Sequence, residues 1–144
     1  MVCNTIHLYY DFLQNQIHTP ILNLKKEIKQ LLINKNIKST LIIGTPNTIK
    51  QGLYKFKNIK SYELNKEEIK QLTNSIFNFN KGINKKTQTK IIKNICQKYL
   101  NKGAETIILG CTEFAVMLNK ENIPKINTID ILVEATVNKF KSSN

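Results

Sequence analysis

Two short apolar runs constrain this chain more than any other feature. They are "STLIIGT" at 39–45 and "ETIIL" at 105–109, and each ends at a small or polar residue before a helical pattern begins. An apolar run of this length without alternation belongs to a strand buried on both faces, as in a parallel sheet covered by helices. The remaining sequence alternates to match. Amphipathic helices are expected over 5–16, 25–36, 46–56, 66–79, 85–102, from Thr112 onward and over 129–141. Short strands are expected at 19–24, 60–64 and 123–127. Pro46 suits the first turn of its helix and Gly103 a left-handed helix end. The fold class is therefore α/β with a mostly parallel sheet.

Composition removes several function classes. Hydrophobic residues make up 41% of the 144, enough to bury a core, so a disordered chain is not expected. No apolar run approaches the roughly 18 residues of a membrane span, and Met1-Val2-Cys3-Asn4 does not open like an export signal. Three cysteines at irregular spacing do not form a disulfide framework, so a reducing cytoplasm is the expected setting. The formal charge of +12 invites a nucleic-acid reading, but all 22 basic residues are lysine and they are spread along the chain. The densest patch, "NKGINKKTQTK" at 80–90, reads as a solvated loop and helix start. No nucleic-acid or membrane partner is expected.

One pattern occurs twice. Cys3-Asn4-Thr5 precedes a helix and then Pro20-Ile21-Leu22-Asn23; Cys111-Thr112-Glu113 precedes a helix and then Pro124-Lys125-Ile126-Asn127. The order agrees with a repeated supersecondary unit. In one respect the copies differ: a strand leads into Cys111, whereas two residues lead into Cys3, so the chain reads as N-terminally shortened. A cysteine at a strand end and helix start feels the helix dipole and donated N–H groups, which favours thiolate. Two such thiols across a cleft can invert a carbon centre, one removing a proton and the other returning one to the opposite face. Asn4, Thr5 and Thr112 could bind carboxylate and amine groups beside them.

The motifs "CNTIH" at 3–7, "GTPNTIKQGLY" at 44–54 and "GAETIILGCTE" at 103–113 together resemble the aspartate/glutamate racemase family, over nearly the whole chain from Cys3 to about Phe140. The resemblance implies two similar α/β lobes, no cofactor (pyridoxal phosphate included) and no metal. It also implies an amino-acid substrate, most simply aspartate or else glutamate. Cys3 and Cys111 would be the catalytic thiols. Asn4, Thr5, Thr45, Thr48, Thr112 and Glu113 would line the substrate site. By the same likeness, 37–119 corresponds to the second lobe, while 1–36 and 120–144 are a remnant of an incomplete first lobe. Members often form homodimers. Relatives usually have a strand and glycine-rich loop before the first motif, and an arginine for a side-chain carboxylate; this sequence has neither. Asn127 and Leu132 stand where many relatives have aspartate and histidine. The competing expectation is an inactive remnant or a binding module, and the shortened chain is expected to racemise poorly.

Each candidate also has a plainer role. Cys111 could be a small buried filler, and Cys96, beside Ile92 and Ile95, is expected to be core. Thr45 and Thr48 could serve as helix caps, and Glu113 could favour a helix N-terminus. Cys3 and His7 have ligand-like spacing, but no further ligands follow, so metal is not expected. His7 should lie near the cleft in the first helical turn, and His18 in solvent.

Overall fold

The computed structural model describes residues 1–142. Its centre is a four-stranded sheet in the order β2-β1-β3-β4, formed by β1 (Ser39–Gly44), β2 (Lys60–Tyr62), β3 (Thr106–Gly110) and β4 (Lys125–Asn127). Every neighbouring pair is parallel. The two apolar runs are its middle strands, with every residue of both buried. Their register pairs Gly44 with Gly110, so the two C-terminal ends finish level. Among the described residues, no helix is long and apolar enough to cross a membrane.

Strand alternation divides the core between the faces. Leu41, Ile43, Ile107 and Leu109 meet the face covered by α4 (Lys66–Asn80), α5 (Lys85–Asn101) and α6 (Thr112–Met117). Ile42, Ile108 and Ile126 meet α2 (Leu24–Asn34) and α7 (Thr128–Ser142) on the other. Local chemistry fixes these helices. Asn65 and Glu68 form a reciprocal capping box at the start of α4. Glu68 then ties α4 to α5 by accepting from Tyr99 Oη at 2.6 Å and pairing with Lys98 at 2.5 Å. Gly103 takes the expected left-handed conformation, φ 99°, after α5.

Three expected elements differ. The helix expected over 46–56 ends early: α3 spans Pro46–Lys50. Gly52 adopts φ 61°, a left-handed turn that reverses the chain and sends Leu53 and Tyr54 into the core. The first helix begins as a 3-10 turn, Thr5–Tyr9, before α1 (Tyr10–Gln16). The strand expected at 19–24 does not form. Ile21 bonds side chains instead, its N–H donating to Gln14 Oε1 at 2.6 Å and its carbonyl accepting from Tyr10 Oη at 3.2 Å.

The glycine pair at the middle of the sheet permits a close approach. A Cβ on Gly110 would stand 3.1 Å from the Ile43 carbonyl oxygen and 3.3 Å from Thr48 Cγ2. Urea denaturation of Gly110→Ala should therefore show a loss of about 1–3 kcal/mol, while Val116→Ala, at an exposed position, should stay within about 0.5 kcal/mol.

Candidate functional site

The level ends of β1 and β3 put Thr45 and Cys111 on adjacent strands, each at the start of a helix. Open α/β sheets bind ligands at this edge. The Thr45 hydroxyl caps α3, accepting from the Thr48 N–H at 3.3 Å. It also lies 3.1 Å from the Thr48 hydroxyl. Thr5 joins both, its Oγ1 3.1 Å from Thr45 Oγ1 and 2.9 Å from Thr48 Oγ1. The capping Thr45 thus belongs to a three-hydroxyl cluster, and this cluster seats the N-terminal Cys3-Asn4-Thr5 segment against the start of α3.

Asn4 is buried beside it. Its Oδ1 accepts a hydrogen bond from Tyr54 Oη, while its Nδ2 is buried without a partner among the described residues. Cys3 is exposed and Cys111 buried. The charge of Cys3 raises the pKa of both Cys111 and Tyr54, so the two thiols share one electrostatic neighbourhood.

Glu113 organises the second half. Its Oε2 accepts from Cys111 Sγ at 2.8 Å and from the Thr112 hydroxyl at 2.9 Å, and its Oε1 accepts from Asn80 Nδ2 at 2.9 Å. Burial pushes this carboxyl up. The hydrogen bonds from Asn80, Cys111, the backbone and Thr112 outweigh burial and hold it at about 2.

The thiolate expected at Cys111 is not what this arrangement favours. Burial, then the hydrogen bond to Glu113, then the Glu113 charge push the thiol up to about 12. The Glu113 backbone N–H acts in the opposite direction and is outweighed. A carboxylate in direct contact prevails over the dipole of α6, a helix of six residues. Cys111 therefore rests as a protonated donor. Cys96 is core as expected, with burial raising it to about 12.

His7 is buried in the first turn, with Nε2 3.0 Å from the Met1 carbonyl oxygen and Nδ1 unpartnered among the described residues. Burial lowers its pKa. His18 is exposed, and no group of three or more metal-ligating side chains occurs among the described residues.

Sequence reasoning assigned no role to Tyr54 or Asn80. Tyr54 ends the "GTPNTIKQGLY" motif, and that position was the available signal. Asn80 gave none: it meets Glu113 across 33 positions of sequence.

The family model described as Asp/Glu/hydantoin racemase matches residues 1–136. The chain belongs to this family. It is 27% identical over 143 residues to the broad specificity amino-acid racemase RacX of Bacillus subtilis, which covers 96% of this chain. The chain spans about 62% of that relative's length. The fold is similar to that of a Yersinia pestis protein solved as a candidate Asp/Glu racemase, with a TM-score of 0.82 at 22% identity, covering 94% of this chain and 63% of that one. For the aspartate racemase of Picrophilus torridus the TM-score is 0.78 at 23% identity, with 96% and 60% covered.

Removing the charge beside Cys111 should unmask its thiol. In Glu113→Gln, alkylation of Cys111 by iodoacetamide at pH 8 should accelerate, roughly tenfold for each unit by which its pKa falls, with Cys96 unchanged. An unchanged Cys111 rate would refute control by Glu113. The folded Glu113 carboxyl lies below its ordinary value of 4.5, at about 2. Its contribution to stability is thus complete above about pH 4.5 and is lost as pH falls toward 2. Chemical denaturation across that window should show a shallower pH dependence for Glu113→Gln than for wild type.

Proposed function

We propose that this family member is an amino-acid racemase acting on aspartate, or else glutamate, by proton transfer between Cys3 and Cys111 without a cofactor. One observation supports the reading: Cys111 stands at the C-terminal end of β3, buried against a carboxylate, and the exposed Cys3 is near enough to act on it electrostatically. Racemisation needs one thiol deprotonated and the other protonated at each turnover. In one direction Cys3, as thiolate, takes the α-proton, and Cys111 Sγ–H delivers a proton to the opposite face. In the other direction the roles reverse: Cys111, once its proton has been given up, takes the α-proton, and Cys3 Sγ–H delivers one to the opposite face.

The remaining residues would hold the substrate. Nδ2 of Asn4 is a donor without an acceptor, and the hydroxyls of Thr5, Thr45, Thr48 and Thr112 can serve carboxylate and ammonium groups alike. With no arginine in the chain, anion recognition would rest on these groups, lysines and backbone N–H rather than on a bidentate clamp. Residues 37–119 would form the second lobe of the family architecture, with 1–36 and 120–144 belonging to the first.

A second reading is binding without turnover. The observation behind it is that Cys3 is exposed, and small displacements from reacting geometry cost large rate factors.

Proton NMR in D2O separates the readings. Racemisation is expected to wash deuterium into the α-position of both aspartate enantiomers. Cys3→Ser and Cys111→Ser should each lower interconversion at least about 100-fold. A single-cysteine variant that still labels one enantiomer would indicate a surviving half-reaction. Aspartate binding with no exchange in wild type would overturn the racemase reading in favour of a binding module.

A further inference from the structure

We propose that Tyr54 is the positioning residue of this site: its hydroxyl fixes the Asn4 amide so that Nδ2 faces the ligand as a hydrogen-bond donor for a carboxylate oxygen. The inference rests on the reading of this sheet edge as a site for an acidic amino acid.

Three observations support it. First, the Tyr54 hydroxyl donates to Asn4 Oδ1, and both residues are nearly inaccessible, at 1% and 3% exposure. Second, Asn4 Nδ2 is buried with no acceptor among the described residues. A buried donor left in that state keeps its full desolvation cost, so it marks a place where a ligand supplies the missing oxygen. Third, the Tyr54 ring reaches under the other half of the site: a Cβ on Gly110 would stand 3.6 Å from Tyr54 Cε2. One side chain thus bonds the residue after Cys3 and lies beside the residue before Cys111.

The direction of the hydrogen bond follows from chemistry. Burial, followed by the charge of Cys3, raises the phenol pKa, so it stays protonated and needs an acceptor. Asn4 Oδ1 supplies one. A reversed amide would face the phenol with a donor and leave Oδ1 aimed at an anionic ligand, which would repel it. The Leu53-Tyr54 turn that buries this phenol exists because Gly52 ends α3.

The test combines a spectroscopic readout with a binding cycle on the full chain. The Asn4 side-chain amide pair is assigned in a 15N-labelled sample by its disappearance in Asn4→Ala. Tyr54→Phe removes only the hydroxyl, and it should shift that pair and speed its exchange with water at least tenfold. Calorimetric titration with L-aspartate, and with the unreactive dicarboxylate succinate, should show about tenfold weaker binding in Tyr54→Phe. In an Asn4→Ala background the same substitution should cause no further loss. Unshifted amide resonances would overturn the assignment, and so would additive losses in the double variant. If Tyr54→Phe does not fold, the wild-type protein still decides: its Tyr54 hydroxyl proton should exchange slowly and show a cross-peak to Asn4. A rapidly exchanging hydroxyl without that cross-peak would overturn the proposal. Failure of the wild type to bind either probe or glutamate would refute the acidic-amino-acid reading, while the amide and hydroxyl signals would still decide whether Tyr54 orients Asn4.

Discussion

The pairing of β1 with β3 is the constraint on which the rest of the structure depends. Parallel strands in register along their full length must finish together, and here they finish at Gly44 beside Gly110. Two glycines at that rung leave room for Thr48 to pack against both. Thr48 then supports Thr45 and Thr5, and Thr5 anchors the segment carrying Asn4 and Cys3. The opposite strand leads directly into Cys111. A larger residue at either glycine would force apart the backbone and the threonine on which the N-terminal segment rests.

Electrostatics then distinguishes two chemically identical side chains. Cys111 contacts a carboxylate that three side chains hold in its charged form. The cost of burying that charge is offset by donors around it, and the charge keeps the neighbouring thiol protonated. Cys3 has no comparable contact among the described residues and is exposed. The difference starts from one position: Glu113 stands two residues after Cys111, where Thr5 stands two residues after Cys3.

Legibility in the sequence followed physical locality. The apolar runs 39–45 and 105–109 revealed the sheet because a strand buried on both faces must be apolar throughout. Gly103 and Pro46 marked real helix boundaries because their conformational limits are intrinsic. The strand expected at 19–24 failed because strand formation requires a neighbour, and the Ile21 backbone finds Gln14 and Tyr10 instead. The thiolate expected at Cys111 failed for a related reason. Sequence shows the helix start and even Glu113 two residues on, but not that the carboxylate folds back onto the sulfur. Asn80 and Tyr54 were obscure because their roles arise from contacts across 33 and 50 positions.

The staple at the start of α7 has a mechanical consequence. The Thr128 hydroxyl donates to the Leu109 carbonyl at 2.8 Å in a fully buried position, pinning the helix to the strand that ends just before Cys111. The helix runs fifteen residues from Thr128 itself to Ser142, a rod of about 22 Å at 1.5 Å per residue. Tilting such a rod by about 5° around its pinned end swings the far tip by about 2 Å, yet displaces the stapled hydroxyl hardly at all. The exposed Phe140 rides on the long arm of this lever and the sulfur lies near its fulcrum. Motion at the outer end of α7 is therefore damped before it reaches the end of β3.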